Sequence, residues 1–274
     1  MIWVECLVLN VEWREVEVSF NIQQTGRHKS GIRMSKGESS SMATLQGAAK
    51  NEKAGSVTAV RPIRAYRSKR VLDIIAACIG LLVAAPFAAI IAVLIKMSSP
   101  GPVLFRQTRV GKGGKEFTFY KFRSMRVGCD DSSHREYIKL FIEGKDEELA
   151  RLQGRKKLYK MTCDDRITFI GKFLRRTSID ELPQLINVLR GEMSMVGPRP
   201  HLGYEVELYK DWHRRRIEGM PGITGWWQIH GRSRVPFDEA VRMDIWYLEH
   251  QSLILDLRIM CRTITKATVG RGAC

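Results

Sequence analysis

The chain has 274 residues, enough to bury a full core in one large domain or two small ones, and its 45 Lys and Arg against 29 Asp and Glu give a net charge of +16. Such an excess calls for a polyanionic partner: nucleic acid, an anionic membrane surface or phosphorylated substrates. Six scattered cysteines with no CxxC pair, and six histidines with no HExxH spacing, argue against a zinc site and a structural disulfide framework.

Residues 1–66 read as a poorly ordered leader. MIWVECLVLNVEWREVEVSF has some strand-like alternation, and Gly, Ser, Lys and Gln then dominate through Lys53. It is no secretory signal, because Glu5, Glu12 and Glu15 interrupt the apolar run and neither a basic n-region nor a small-residue cleavage site is present.

The segment 67–100 is expected to enter a membrane. Its core, IIAACIGLLVAAPFAAIIAVLI (74–95), holds 22 residues without a charge. As a helix at about 1.5 Å per residue, it reaches about 33 Å, enough to span a bilayer. Arg61, Arg64, Arg67, Lys69 and Arg70 precede the run, and Lys96, Arg106, Arg109, Lys112 and Lys115 follow it. A single span has one strongly basic, cytoplasmic side, so basic flanks on both ends favour a re-entrant helix with both ends in the cytoplasm. Pro86, near the midpoint, removes one helical hydrogen bond and marks the expected helix–break–helix. Transmembrane helices also carry kinking prolines, which keeps a single span open. Residues 61–126 hold 13 Lys/Arg against Asp73 and Glu116, a cluster suited to anionic lipid headgroups; nucleic acid is the weaker partner.

The remainder, 101–274, reads as a compact cytosolic domain. Strands near Val103–Arg109 and Phe117–Phe122 flank a glycine turn, and GKGGK lacks the GxxxxGK[ST] spacing of a phosphate loop. Lys121 and Arg123 are either solvated strand charges or phosphate donors. Helices are expected around His134–Ile142 and Lys145–Leu152. A short amphipathic helix carrying Ile170, Phe173 and Leu174, capped by Asp165, delivers Arg175 and Arg176. In RRTSIDELPQLINVLRGEMSMVGPRP (175–200), Leu182, Leu185, Ile186 and Leu189 make one buried helical face, and Gly191 ends it. Ser178 with Glu181 has the form of a capping box, whereas Pro183 in the first turn favours Asp180 as N-cap; either register puts both acids at the helix N-terminus. Taken alone, such acids are ordinary caps. Two prolines restrict Arg199, which suits phosphate recognition as well as an ordinary turn. Glu205–Glu218 is expected as one helix, 220–234 as a loop or short strand, and Phe237–His250 and Leu253–Thr268 as amphipathic helices. Trp226, Trp227, Trp246 and Tyr247 belong either to the core or to the lipid interface. The fold class is therefore α+β, mostly helical: a re-entrant membrane helix, then a compact domain with a short β-hairpin and interfacial amphipathic helices.

Adjacent carboxylates among arginines and lysines, without zinc and beside a membrane segment, suit phosphoryl transfer. Carboxylates hold Mg²⁺ with substrate phosphates, an aspartate can serve as nucleophile, and Arg/Lys neutralise the charge of the transferred group.

The run 69–125 (KRVLDIIAACIGLLVAAPFAAIIAVLIKMSSPGPVLFRQTRVGKGGKEFTFYKFRSM), then LRRTSIDELPQLINVLRGEMSMVGPRP, PGITGWWQIHGRSR and LDLRIM, together resemble the bacterial sugar transferase family, over about residues 67–272. These are monotopic phosphoglycosyl transferases that begin exopolysaccharide, O-antigen or glycoprotein glycan assembly. The resemblance implies transfer of sugar-1-phosphate from a UDP-sugar to polyprenyl (undecaprenyl) phosphate, with release of UMP, on the cytoplasmic face of the bacterial inner membrane. It implies Asp180 as nucleophile in a two-step covalent mechanism, and Glu181 with Asp180 as Mg²⁺ ligands. Arg175 and Arg199 would hold phosphates, with Lys121, Arg123, Gln228 and Arg232 as further substrate contacts. The family's helix often breaks at Ser-Pro, whereas this chain has Ala85–Pro86. GRSR and GRGAC lean the donor towards UDP-galactose or UDP-glucose, and a homodimer suits a membrane-surface enzyme. The competing expectation is a non-catalytic, membrane-anchored basic protein that binds anionic lipid or nucleic acid, with Asp180 and Glu181 as caps.

Overall fold

The computed structural model describes residues 62–63, 65–128, 131–153, 166–231 and 235–269. Almost all of the expected leader lies outside the described residues, as do Asp165 and Arg232.

Helix α1, Lys69–Ser98, contains the whole uncharged run and is long and apolar enough to cross a membrane. Pro86 lies inside it, and the helix continues through that position. Two separate helices are therefore not what forms here: proline withholds only its own N–H, and the apolar helix formers on either side keep the remaining ladder closed. The ends of α1 are better covered than its middle. Lys69 and Asp73 are buried at its start, and Ala77 packs with Phe119, Leu185, Val188 and Met193. Near its other end, Ile91 and Ile95 pack with Phe122 and Leu174. Ile79, Leu82, Val83, Phe87 and Ile90 between them stay exposed. Phe119 and Phe122 belong to one strand, so the two ends of α1 rest on the same body of protein.

That body is built on a hairpin. Strands β1 (Leu104–Val110) and β2 (Glu116–Phe122) pair antiparallel, from Leu104 opposite Phe122 to Val110 opposite Glu116. Gly113 and Gly114 take φ of +65° and +81° in the connection, so GKGGK forms a tight turn. A second pair, β3 (Ser194–Val196) and β4 (Gly222–Thr224), is parallel and was not foreseen, because three-residue strands leave no periodic signal.

Helices supply the rest. α2 (Ser132–Glu143) and α3 (Asp146–Gln153) fall where expected. α4 (Phe169–Thr177) is capped by Thr168, whose side chain accepts from the Gly171 N–H at 2.9 Å. α5 spans Gln184–Arg190 and α6 Gly203–Glu207. The single helix expected over Glu205–Glu218 is instead α6 and a 3₁₀ segment, Asp211–Ile217. Lys210 between them is extended, and the turn buries Tyr209 against Ile142, Phe237 and Val241, a tertiary gain that overrides local propensity. The stretch 220–234 contains β4 and a short helix, α7 (Trp226–His230). α8 (Phe237–Glu249) and α9 (Leu253–Val269) close the fold. Trp226, Trp246 and Tyr247 are buried, with the two indoles 4.6 Å apart, so they are core. The described chain is mostly helical with small sheets, as expected. Exposed apolar side chains cluster on α1, on α4 (Phe169, 86 % exposed, and Phe173) and on α9 (Ile254, Leu257 and Ile264).

Candidate active site

The two acids sit where the chain reverses between α4 and α5. Ser178, which ends α4, has φ +59°, the one left-handed non-glycine among the described residues. This conformation costs energy for an L-residue and occurs where surrounding structure enforces it. It turns the chain into a 3₁₀ turn, Ile179–Glu181, closed by the Glu181 N–H donating to the Ser178 carbonyl at 3.2 Å. Pro183, lacking an N–H, then leads into α5. The expected capping geometry is corrected here. Neither Ser178 nor Asp180 makes a side-chain cap bond, and both acids precede α5 instead of opening it. Gly171 permits this placement from the other side, since a Cβ there would collide with the Ser124 carbonyl.

Four expected site residues come together. Lys121 Nζ lies 2.8 Å from Asp180 Oδ2 and 3.6 Å from Glu181 Oε1, and Arg199 Nη1 lies 3.6 Å from the same Glu181 oxygen. Asp180 is only 2 % exposed, whereas Arg199 is 38 % exposed. The buried acid is therefore reached from the side where Lys121, Glu181 and Arg199 line its surroundings. Burial pushes the Asp180 carboxyl above its ordinary range, Lys121 opposes that rise, neighbouring Glu181 adds to it and Arg175 opposes it more weakly. Arg175 stands behind the cluster, with Nε donating to Ser124 Oγ at 2.9 Å.

The other expected contacts lie elsewhere. Arg123 is buried, and its guanidinium donates to the carbonyls of Ile95, Ser99 and Pro100, closing the C-terminal end of α1. Gln228 Nε2 donates to the Ile223 carbonyl at 3.2 Å, beside β4. Arg232 is outside the described residues.

Arg199 is placed from two directions. Gly197 N–H donates to the Thr224 carbonyl and Gly222 N–H to the Pro198 carbonyl, each at 2.8 Å, tying its loop to β4. On the far side the Val110 N–H donates to the His201 carbonyl at 2.8 Å, and Arg109 Nη1 to the Pro200 carbonyl at 3.1 Å. Arg109 also donates twice to Gln107 Oε1, at 3.0 and 2.7 Å, and lies over the Phe119 ring. Burial, and then Arg199, lower its pKa to about 10, so it remains charged at neutral pH. Sequence reasoning counted Arg109 among the basic flank and missed this role. Its alternation with Gln107 along a strand was the available signal.

A second missed cluster anchors α1. Lys69 Nζ donates to Asp256 Oδ2 at 2.6 Å, to the Val196 carbonyl at 3.0 Å and to Tyr247 Oη at 3.1 Å. Asp73 accepts from Ser194 Oγ and from the Met195 N–H, both at 2.9 Å. A Lys and an Asp at i, i+4 heading an apolar run were the sequence signal for it.

Asp180 and Glu181 also define what metal could be held. No group of three or more His, Cys, Asp or Glu side chains stands ready for an ion among the described residues. Two adjacent oxygen donors do fit Mg²⁺, which takes one or two carboxylates and completes its shell with substrate phosphate and water.

Comparison with known proteins places the chain in a family. A family model described as bacterial sugar transferase matches residues 64–270. The chain is 43 % identical over 207 residues to the galactosyl transferase CpsE of Streptococcus agalactiae, covering 75 % of this chain and 43 % of that protein. It is 38 % identical over 215 residues to the exopolysaccharide production protein ExoY of Rhizobium meliloti, covering 78 % of this chain and 91 % of that one. Against the UDP-glucose:undecaprenyl-phosphate glucose-1-phosphate transferase of Escherichia coli it is 39 % identical over 218 residues, covering 75 % and 41 %. The chain thus spans nearly the full length of ExoY and less than half of the other two. With its model matched along most of the sequence, the chain belongs to the bacterial sugar transferase family.

Proposed function

We propose that this protein transfers a hexose-1-phosphate, galactose or glucose, from a UDP-sugar to polyprenyl (undecaprenyl) phosphate at the cytoplasmic face of the bacterial inner membrane, as a first step of exopolysaccharide synthesis. The observation that carries the reading is the buried Asp180, ion-paired with Lys121 and adjoined by Glu181 and Arg199, next to an exposed apolar helix. The activity named for the Escherichia coli relative, from UDP-glucose to undecaprenyl phosphate, supports the donor and acceptor classes, and CpsE's name supports galactose.

In the first step a carboxylate oxygen of Asp180 attacks the sugar-bearing phosphorus. The Asp180 O–P bond forms as the P–O bond to UMP breaks, and UMP leaves with the electron pair. Burial leaves the carboxylate poorly solvated and more basic than an exposed one, which favours attack, while Lys121 keeps it ionised. Arg199, partly exposed and fixed by its loop, is placed to neutralise the phosphate oxygens, and Arg175 adds positive charge from behind. In the second step an oxygen of polyprenyl phosphate attacks the same phosphorus, the bond to Asp180 breaks and the carboxylate is regenerated. Asp180 and Glu181 would hold Mg²⁺, which supplies charge neutralisation on the diphosphate when bound.

The membrane arrangement follows from α1. Both its ends are seated on the catalytic body, which supports a re-entrant α1 that is bent at Pro86 without being broken there, dips into one leaflet and returns, with Phe169 and Phe173 lying at the interface. The basic residues flanking α1 suit anionic lipids. Single cysteines placed at Ser68 and Ser99 should both react with a membrane-impermeant thiol reagent from the cytoplasmic side only; reaction of either from the opposite side would overturn re-entry.

Purified protein in detergent, incubated with UDP-galactose or UDP-glucose and Mg²⁺, should release at most about one UMP per enzyme without polyprenyl phosphate and many per enzyme when that lipid is in excess. Absence of UMP with every UDP-sugar tried would sink the assignment.

A further inference from the structure

The hairpin has two long edges, and β1 covers only one edge of β2. Part of the other edge is covered by a single side chain. Asn187, in the middle of α5, is fully buried. Its Nδ2 donates to the Thr118 carbonyl at 2.7 Å, and its Oδ1 accepts from the Tyr120 N–H at 3.2 Å. One donor and one acceptor directed at residues i−1 and i+1 of a strand is the pattern of a parallel neighbouring strand. The carboxamide thus stands in for the N–H and C=O of one residue of a third strand. Its second Nδ2 proton goes to Glu192 Oε2 at 2.6 Å, so every donor and acceptor it carries is used.

What the clamp joins is specific. Lys121 follows Tyr120 directly on β2, and Asp180 and Glu181 lie in the turn that leads into α5. The Lys121–Asp180 contact at 2.8 Å therefore depends on how β2 and α5 are set against each other. Arg190, at the other end of α5, bonds Tyr120 Oη at 2.8 Å, but it does so through an exposed and flexible side chain. Asn187 bonds backbone to backbone-like group, in the interior, where register cannot drift without leaving the Tyr120 N–H and Thr118 carbonyl unsatisfied.

We propose that Asn187 is a positioning residue: its carboxamide fixes the register of β2 against α5 and thereby holds Lys121 on Asp180. This rests on the reading of Asp180 and Lys121 as catalytic machinery. A residue that only stabilised the fold would lower the amount of active enzyme and leave the effect of Lys121 untouched. A positioning residue acts through Lys121 and loses its effect when Lys121 is gone.

The test has two arms. In the first, amide hydrogen exchange at Tyr120 is compared between wild type and Asn187→Ala in detergent; at least about tenfold faster exchange is expected, and unchanged protection would overturn the clamp. In the second, kcat and KM for the UDP-sugar are measured for Lys121→Ala, Asn187→Ala and the double variant, per mole of folded protein. Asn187→Ala should lower kcat about tenfold with KM within about twofold, and the double variant should match Lys121→Ala within about twofold. Losses that multiply in the double variant would overturn the proposal while leaving the proposed function intact. Asn187→Leu keeps nearly the same volume but gives up every bond of the carboxamide, and it serves in the same comparison where alanine does not fold. If wild type itself released no UMP, the proposed function would fall and positioning with it, while the exchange arm would still decide whether the clamp exists.

Discussion

Lys69 and Asp256 meet at 2.6 Å, and Lys121 and Asp180 at 2.8 Å, so by distance and chemistry the two pairs are alike. They differ in what else reaches the aspartate. Asp256 has both oxygens filled: Lys69 and Tyr66 Oη on one, Tyr247 Oη at 2.6 Å on the other. Lys69 in turn spends its protons on Asp256, Val196 and Tyr247. Asp180, among the described residues, has Lys121 alone as close ionic partner, and its neighbours Glu181 and Arg199 keep part of their side chains in solvent. A buried pair with every valence used holds structure together. A buried carboxylate with capacity left over, facing groups that substrate can reach, is a place where something else is meant to bind.

Matched aspartate-to-asparagine changes separate these roles most sharply. Asp180→Asn removes the attacking oxygen's charge, so turnover should fall by at least about 10³-fold. Its melting temperature should hold, because a poorly solvated carboxylate has been replaced by a neutral group of equal size. Asp256→Asn should do the reverse. It leaves Lys69 charged, buried and without its counterion, a cost of about 3–5 kcal/mol, while turnover per folded molecule stays within a few-fold. Thermal unfolding in detergent beside UMP release reads both. If Asp256→Asn lost turnover without losing stability, the distinction between the pairs would not stand.

The legibility of the two sites in the sequence differed for the same reason. The dyad was visible because Asp180, Glu181, Arg175 and Arg199 lie within one 26-residue stretch bounded by Gly and Pro signals. Lys121 could be named but not placed, since its pairing with Asp180 spans a long loop closure that no local pattern encodes. The anchor at the head of α1 was missed, because the i, i+4 pair of Lys69 and Asp73 names no partner: Lys69 reads as one of many basic flanking residues until Asp256, far along the chain, closes on it. Arg123 shows the same limit in the other direction. Its neighbourhood on β2 suggested a phosphate ligand, yet its guanidinium serves the carbonyls that end α1. Helix positions were legible wherever apolar spacing ran for two turns or more, as in α2, α8 and α9. They failed over Glu205–Glu218, where burial of Tyr209 decided the path.

His201 and Glu205 form a third buried pair, which tests the comparison at lower amplitude. Nδ1 of His201 faces Glu205 Oε2 at 3.2 Å, and Arg216, Arg109 and the Tyr209 ring surround the imidazole. Burial, and then Arg216, lower the His201 pKa to about 4 against an ordinary 6.5, so the ring is neutral and Nδ1–H donates to the glutamate. Burial would raise Glu205, but the His201 bond and the charge of Arg109 bring it down to about 2. The signs add. Between pH 6.5 and about 4 the unfolded chain takes a proton at His201 that the folded chain refuses, so stability falls as pH falls. Below about 4.5 the same holds for Glu205, down to about 2. The histidine contribution is on the order of 3 kcal/mol when fully developed. His201→Gln, whose amide can still donate to Glu205, should flatten the loss of melting temperature between pH 6.5 and 4 and leave turnover at neutral pH within about twofold. An unchanged slope in that variant would show that the imidazole is not held neutral. A large loss of turnover would move His201 out of the structural pairs and into the company of Arg199, two residues away.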